Sequence, residues 1–515
     1  RSVMARAPVL ADDKALQNTL LEGRRFIVTQ FAGISHVTPD YGRVVREGFR
    51  GILAEVEAHG TVRPLHRAAA TALHAALDFA GRQARFLEAE ADACADAVRA
   101  AELREMATVC ARVPAEPART LREGLQAVLT AHVVVHQESF QHGVSFGRLD
   151  QILQPLYAAD VAAGRLDAAG AVELLGCFLV KAAEQLPLFN ALTTEFFSGL
   201  SSASGITLGG TDAAGDDATN DLTHLFLAAH DQVRLRQPNL HLRVHPGTPD
   251  ALLDHAGDVL RRGGGMPALF NDAEVVPALE ALGIATEDAR DMAVVGCVEW
   301  GVPGRHFPAA GAGFVSLPAA LLDTLFVGDT PRSFATMDEL WQAFAERLGG
   351  VVAEAVAANE AIEEAHRRGR PTPLLSALVG GCIESGRDVT EGGATYDTTG
   401  LQGVGLADVA DSLASLDALV FDTGERTLGE VLLAVQADFA GEEGLRRRLQ
   451  TVAPRYGEDA GPAETWAARV ARLYAALVRQ HTSARGGPYA PGFWSMTTHV
   501  GFGRRTGALP SGRKA

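Results

Sequence analysis

Between residues 205 and 301 the sequence changes its hydrophobic period repeatedly, and that restricts the possible folds more than any other feature. "NLHLRVH", 239–245, alternates with a period of two: Leu240, Leu242 and Val244 fall on one face, His241, Arg243 and His245 on the other. That is the pattern of a strand with a polar side. A helix is expected from Pro249, a short strand at "MPALFND" and a helix over 273–282. A β-leaning run, "DMAVVGCVEW", then enters the Gly- and Pro-rich "GVPGRHFPAAGAGF". Strand, helix, strand, helix with short connections means parallel strands covered by helices. Elsewhere apolar residues recur at three and four, over 41–112, in "LREGLQAVLTAHVVVHQE" and over 340–367, and helices are expected there. "GITLGGTDAAGDDATNDLT" reads as a strand end, a loop and a helix capped by Thr219 or Asn220. It has the glycines and aspartates of a phosphate or calcium loop, but neither the lysine of the first nor the spacing of the second.

The charge balance is acidic, −17 over 515 residues, the opposite of a nucleic-acid binder or of a protein that binds anionic membranes. The run Arg446-Arg447-Arg448 follows Glu442-Glu443 and reads as a solvated helix face. Cys94, Cys110, Cys177, Cys297 and Cys382 stand far apart, so neither a disulfide framework nor a cysteine-rich zinc site is expected. A metal between His241 and His245 is disfavoured by the cation Arg243 between them. The start, "RSVMARAPVLADDK", has no apolar stretch of the signal-peptide kind, and runs such as "VELLGCFLV" are too short to cross a bilayer. A cytoplasmic location follows as an expectation. Residue 1 is Arg and the end, "GALPSGRKA", is turn-like, so the chain is expected to be a piece of a longer one.

Two stretches carry the same short pattern. "VVGCVEWG" holds Cys297 and Glu299; "VGGCIESG" holds Cys382 and Glu384. In a strand, residues two apart share a side, so a strand through 292–300 would aim Cys297 and Glu299 into one pocket, with Gly296 allowing a bend. The second stretch, "TPLLSALVGGCIESG", has its apolar residues at helical spacing. At 100° per residue Cys382 and Glu384 diverge, and Cys382 is expected to be a small buried hydrophobe.

The longer context carries a resemblance. "GITLGGTDAAGDDATNDLT", "PNLHLRVH", "GMPALFNDAEVVPAL", "EDARDMAVVGCVE", "GGATYDTTGLQGVGLADVADSLASL" and "PGFWSMTTHVGFGRRTGALPSGRKA" follow one another in the order found in the glycyl radical enzymes, the pyruvate formate-lyase-like family. Together they resemble that family over nearly the whole chain. The resemblance implies an α/β fold: a ten-stranded barrel of two antiparallel five-stranded parallel halves, wrapped by helices, with a cysteine loop in its lumen. It implies a mostly helical part over 1–120, the barrel over 121–515, and a glycyl radical domain beyond this chain. Cys297 would be the cysteine that becomes a thiyl radical. Cofactors follow in the same way: none bound here, and a backbone glycyl radical installed by a partner activase that uses S-adenosylmethionine and an iron–sulfur cluster. A homodimer and a small-molecule substrate are expected, with no nucleic acid and no membrane.

Within the family the tip matters. Pyruvate formate-lyases carry two adjacent cysteines; here Gly296 and Val298 flank Cys297, so formate C-acetyltransferase activity becomes the alternative. The Cys-x-Glu tip resembles the eliminating branch of dehydratases and C–X lyases, where Glu299 would be the base. By resemblance His36 in "GISHVTPDY" and His142 in "ESFQHGVSFGR" would contact substrate, and Phe314 and Trp300 would make the pocket more apolar. The diol-dehydratase pattern departs at Gly143, where a hydroxyl is lost, and at Gly311, where an Asp is lost. A small polar substrate other than glycerol or propanediol is therefore expected. A barrel kept for binding, without catalysis, is the second class of function. It draws on the stretch that best matches the family's radical-bearing motif, "RVARLY", which has Arg472 where a glycine belongs and reads as an amphipathic helix.

Overall fold

The computed structural model describes residues 22–30, 33, 36–60, 62–138, 143–185, 191–196, 202–495 and 497–515. Its strands, in chain order, are β1 (Phe26–Val28), β2 (Gly205–Gly209), β3 (Asn239–Val244), β4 (Ala268–Asn271), β5 (Ala293–Val295), β6 (Glu299–Gly301), β7 (His306–Phe307), β8 (Gly313–Ser316), β9 (Phe326–Val327), β10 (Thr330–Pro331), β11 (Tyr396–Asp397), β12 (Thr399–Val404) and β13 (Tyr489–Trp494).

β2, β3 and β4 form a parallel sheet with β3 in the middle, Thr207 beside His241 and Arg243 beside Phe270. Parallel bridges from Gly147 to Ile206 and from Val37 to Val144 extend it on the β2 side. The connecting helices, Asp221–Val233 and Asp250–Leu260, return the chain as the alternating pattern requires. Asn220 caps the first of them, its side chain accepting the Thr223 N–H at 3.2 Å. A second sheet has the order β1-β8-β12-β13, with β8, β12 and β13 parallel and β1 antiparallel to β8. Among the described residues the ladders form separate sheets of two to four strands rather than one hydrogen-bonded ring of ten.

Two apolar cores flank these sheets. Helices Tyr41–Ala58, Leu121–Glu138 and Ala168–Ala183 cover β2 and β3; the helix Met337–Gly369 and the helix Pro462–Val478 cover β1 and β12. In the latter helix Val470 and Tyr474 are buried and Arg472 is exposed, so "RVARLY" is an amphipathic helix as its spacing requires.

The polar face expected for β3 is not exposed. Residues 240–243 are all buried, because a central parallel strand is covered on both sides. Arg243 is fully buried and makes a two-pronged ion pair with Asp272, both nitrogens at 2.8 Å, and donates to the Met292 carbonyl at 3.0 Å. Arg148 donates to the carbonyls of Gly209 and Thr211 at 3.0 and 2.9 Å. The Gly/Asp-rich loop after β2 is thus held from inside by arginines. Among the described residues no helix is long and apolar enough to cross a membrane, and no group of three or more His, Cys, Asp and Glu is placed to hold a metal ion.

Candidate active site

β5 and β6 pair antiparallel, with Val295 opposite Glu299, so residues 296–298 form a tight turn and Cys297 is its central residue. This corrects the expectation of one strand through 292–300. Gly296, at φ +66°, takes a conformation that side-chain-bearing residues avoid, and the chain reverses there. The two-residue rule therefore does not bring the thiol and carboxylate together. Glu299 does so by folding back: its Oε2 accepts the N–H of Cys297 at 3.2 Å and of Val298 at 3.1 Å. Trp300, one residue on, turns to the opposite side and is 36% exposed, so it does not line this site.

Residues from neighbouring strands hold the turn. The Gly296 N–H donates to Ser145 Oγ at 2.9 Å, and the Val294 N–H to Thr207 Oγ1 at 2.9 Å. Asn239 Nδ2 donates to the Gly296 carbonyl at 3.4 Å, and His241 Nε2 to the Cys297 carbonyl at 3.0 Å. A carbonyl only accepts, so His241 carries its proton on Nε2. Sequence pattern alone marks none of these four as a site residue: alternation puts His241 on the polar side of a strand, and Ser145 lies in a stretch that reads as a loop.

Behind the turn, Cys297 packs against an apolar cluster formed by Ile27, Phe196, Phe314, Val404, Trp494 and Phe502. Phe314 is buried, and its ring centre lies 4.6 Å from that of Trp494. His36 is buried with its Nε2 3.7 Å from Glu299 Oε1. Cys297, Glu299, His36 and Phe314 thus come together; His142 lies outside the described residues.

Burial sets the electrostatics. It pushes the Cys297 thiol up to about 12, helped by the charge of Glu299, so the sulfur keeps its hydrogen at neutral pH. It raises Glu299 to about 7 against three backbone N–H donors, which leaves the carboxyl able to give or take a proton. It lowers His36 and His241 to about 4, so both imidazoles are neutral. Glu299 Oε1 is buried and accepts no hydrogen bond. The arrangement is a protonated thiol in an apolar layer beside one titratable carboxyl. That suits removal of a hydrogen atom from S–H and suits a thiolate nucleophile badly.

The second Cys-x-Glu pair behaves as its helical spacing requires. Cys382 is fully buried at the start of the short helix Cys382–Ser385, and Glu384 reaches back to the Gly381 N–H at 3.0 Å. That is a cap on a helix, with the thiol in the core.

The sequence pattern described as pyruvate formate lyase-like matches residues 11–503. The chain belongs to the pyruvate formate lyase-like family. It is 31% identical over 513 residues to (2S)-3-sulfopropanediol dehydratase of Klebsiella oxytoca, covering 94% of this chain and 62% of that one. It is 32% identical over 433 residues to trans-4-hydroxy-L-proline dehydratase of Clostridioides difficile, covering 81% and 55%. The solved structure of the B12-independent glycerol dehydratase of Clostridium butyricum, with glycerol bound, superposes with a TM-score of 0.95 at 31% identity over 100% of this chain and 68% of that one. The chain spans less than two thirds of the length of these curated relatives.

Proposed function

We propose that this chain carries the reaction chamber of a radical lyase, which takes a hydrogen atom from a small polar substrate and eliminates a neighbouring group. The observation that carries the reading is the Cys297–Glu299 turn: a half-buried, protonated thiol on a residue whose backbone N–H binds the carboxyl that would serve as base. Two of the relatives are named as dehydratases, and the chain is also 32% identical to an isethionate sulfite-lyase of Nitratidesulfovibrio vulgaris over 95% of this chain and 63% of that one. The parallel array around β3 and the sheet around β12 are read as the two halves of the family's ten-stranded barrel, with the turn between them.

A glycyl radical, installed by an activating enzyme that uses S-adenosylmethionine and an iron–sulfur cluster, would supply the oxidising equivalent that no acid–base group can. The residues of this chain do the rest. Once its S–H hydrogen is gone, Cys297 removes a hydrogen atom from a substrate carbon; the S–H bond re-forms and a carbon radical is left. Glu299, as carboxylate, accepts the proton of the hydroxyl or amine on that carbon. The bond to the neighbouring group then breaks, the group leaves with the electron pair, and the unpaired electron stays on the product. Cys297 returns its hydrogen atom to that product radical. The apolar layer of Phe314 and Trp494 keeps water from the thiol, and neutral His36 stands where it can hydrogen-bond substrate. A lone thiol between Gly296 and Val298 has no second sulfur to carry an acyl group, which favours elimination over acetyl transfer.

The test is a substrate screen with the full-length, activated protein that includes the glycyl radical domain, under anaerobic conditions, using sulfopropanediol, isethionate, trans-4-hydroxyproline, glycerol and propanediol. Elimination from a substrate other than the two plain diols supports the reading. Acetyl transfer from pyruvate overturns it, and glycerol as the best substrate overturns the exclusion of the plain diols.

A further inference from the structure

Three glycines far apart in sequence meet one ring. A methyl group at Gly296 would lie 2.2 Å from His36 Cδ2, one at Gly311 would lie 2.6 Å from His36 Cε1, and one at Gly143 would lie 2.9 Å from His36 Cδ2. Real contacts of this kind do not fall below about 3 Å, so each position is open to His36 only as glycine. The imidazole is 2% exposed, so it has little room to swing away. His36 itself sits at φ +65°, a backbone state that side-chain-bearing residues seldom adopt. The imidazole edge that faces Gly296 carries Nε2, which lies 3.7 Å from the unpartnered Oε1 of Glu299.

We infer that Gly143, Gly296 and Gly311 form a cradle whose empty volume seats the His36 imidazole against Glu299, and that Gly311 is a positioning residue acting through His36. The inference rests on the reading of Glu299 as the proton acceptor. With the ring in the cradle, the open oxygen of Glu299 faces a neutral imidazole instead of bulk water. A side chain at 311 takes the place of the ring, so it acts on the reaction without touching substrate. This also gives a physical reason for small residues at 143 and 311: the space they leave is filled from the other side of the site.

Gly311 is the clean probe, because its backbone is outside the left-handed region that makes Gly143 and Gly296 intolerant of any side chain. The experiment is a double-mutant cycle with Gly311→Ala and His36→Ala. It is read first by thermal unfolding of the chain as it is. Gly311→Ala alone is expected to lower the unfolding midpoint by roughly 1–3 °C through overpacking. In the His36→Ala background, where the ring is gone, the same change is expected to cost nothing or to raise the midpoint. The second reading is turnover of the activated protein: the two single variants should fall to a similar level, and the double variant no lower. An equal loss of midpoint with His36 present or absent overturns the cradle. A cycle that couples in unfolding, with turnover unaffected in every variant, overturns Gly311 as a positioning residue acting through His36; the role of Glu299 as proton acceptor is read separately, from Glu299→Gln.

Discussion

Glu299 Oε2 accepts the backbone N–H of Cys297 at 3.2 Å, so the carboxyl and the thiol are tied through the main chain of one tight turn. Any movement of the base moves the cysteine, and the charge of one is felt by the other.

Replacing Glu299 with Gln keeps the shape and an oxygen for the two N–H groups but removes the base. Turnover of the activated enzyme is expected to fall by about 10²–10⁴-fold, while the radical signal in electron paramagnetic resonance survives. Unchanged turnover would reduce Glu299 to a support for the turn.

The same substitution reads out the buried carboxyl in stability. Burial raises Glu299 from 4.5 to about 7, so between those values the folded chain holds a proton that the unfolded chain has released. Stability is then lost as pH rises through this window, by up to roughly 3 kcal/mol. Glu299→Gln removes that dependence. The midpoint difference between variant and wild type should therefore grow in favour of the variant from pH 5 to pH 8. A difference that does not change with pH contradicts the raised titration. Turnover should rise over the same range, because the base acts as carboxylate.

Much of this was legible in sequence. The alternation at Leu240, Leu242 and Val244 marks β3, and the helical spacing around Cys382 separates a core thiol from Cys297 without any structure. Other features were not legible, for physical reasons. Alternation reports the faces of a strand but not what covers them, so buried Arg243 and His241 read as a polar side. A local rule could not show the turn at Gly296, which is held by Ser145 from 151 residues away. The left-handed backbone of His36 has no sequence mark, because its partners are glycines that say only that space is left.

His241 offers a test of how the turn is held. His241→Phe keeps ring volume but loses the Nε2–H donor to the Cys297 carbonyl; His241→Gln keeps a donor at similar reach. The first should lower kcat by about tenfold to a hundredfold with little change in KM, as expected for a misplaced reacting atom, and the second should recover most of it. Equal losses in both would assign His241 to packing alone.

Asp272→Asn should be among the most costly single changes in the fold. It leaves Arg243 buried without its counter-charge, a loss of about 3–5 kcal/mol. Denaturant unfolding measures it; a change below about 1 kcal/mol contradicts the assignment of this pair as the internal clamp of the loop after β2.

Cys297 should be a poor nucleophile. With its thiol pushed up to about 12, alkylation by iodoacetamide at pH 8 is expected to be slower than at exposed Cys177 by on the order of a hundredfold or more. Peptide mass spectrometry resolves the two. A Cys297 that reacts first would mean a thiolate site.

The most direct test of the account compares Cys297→Ser and Cys382→Ser in activated, anaerobic protein, following both the radical signal and product. Cys297→Ser should keep the radical signal and form no product, while Cys382→Ser should form product at close to the wild-type rate in whatever protein remains folded. Product from Cys297→Ser at a rate near wild type would contradict the account.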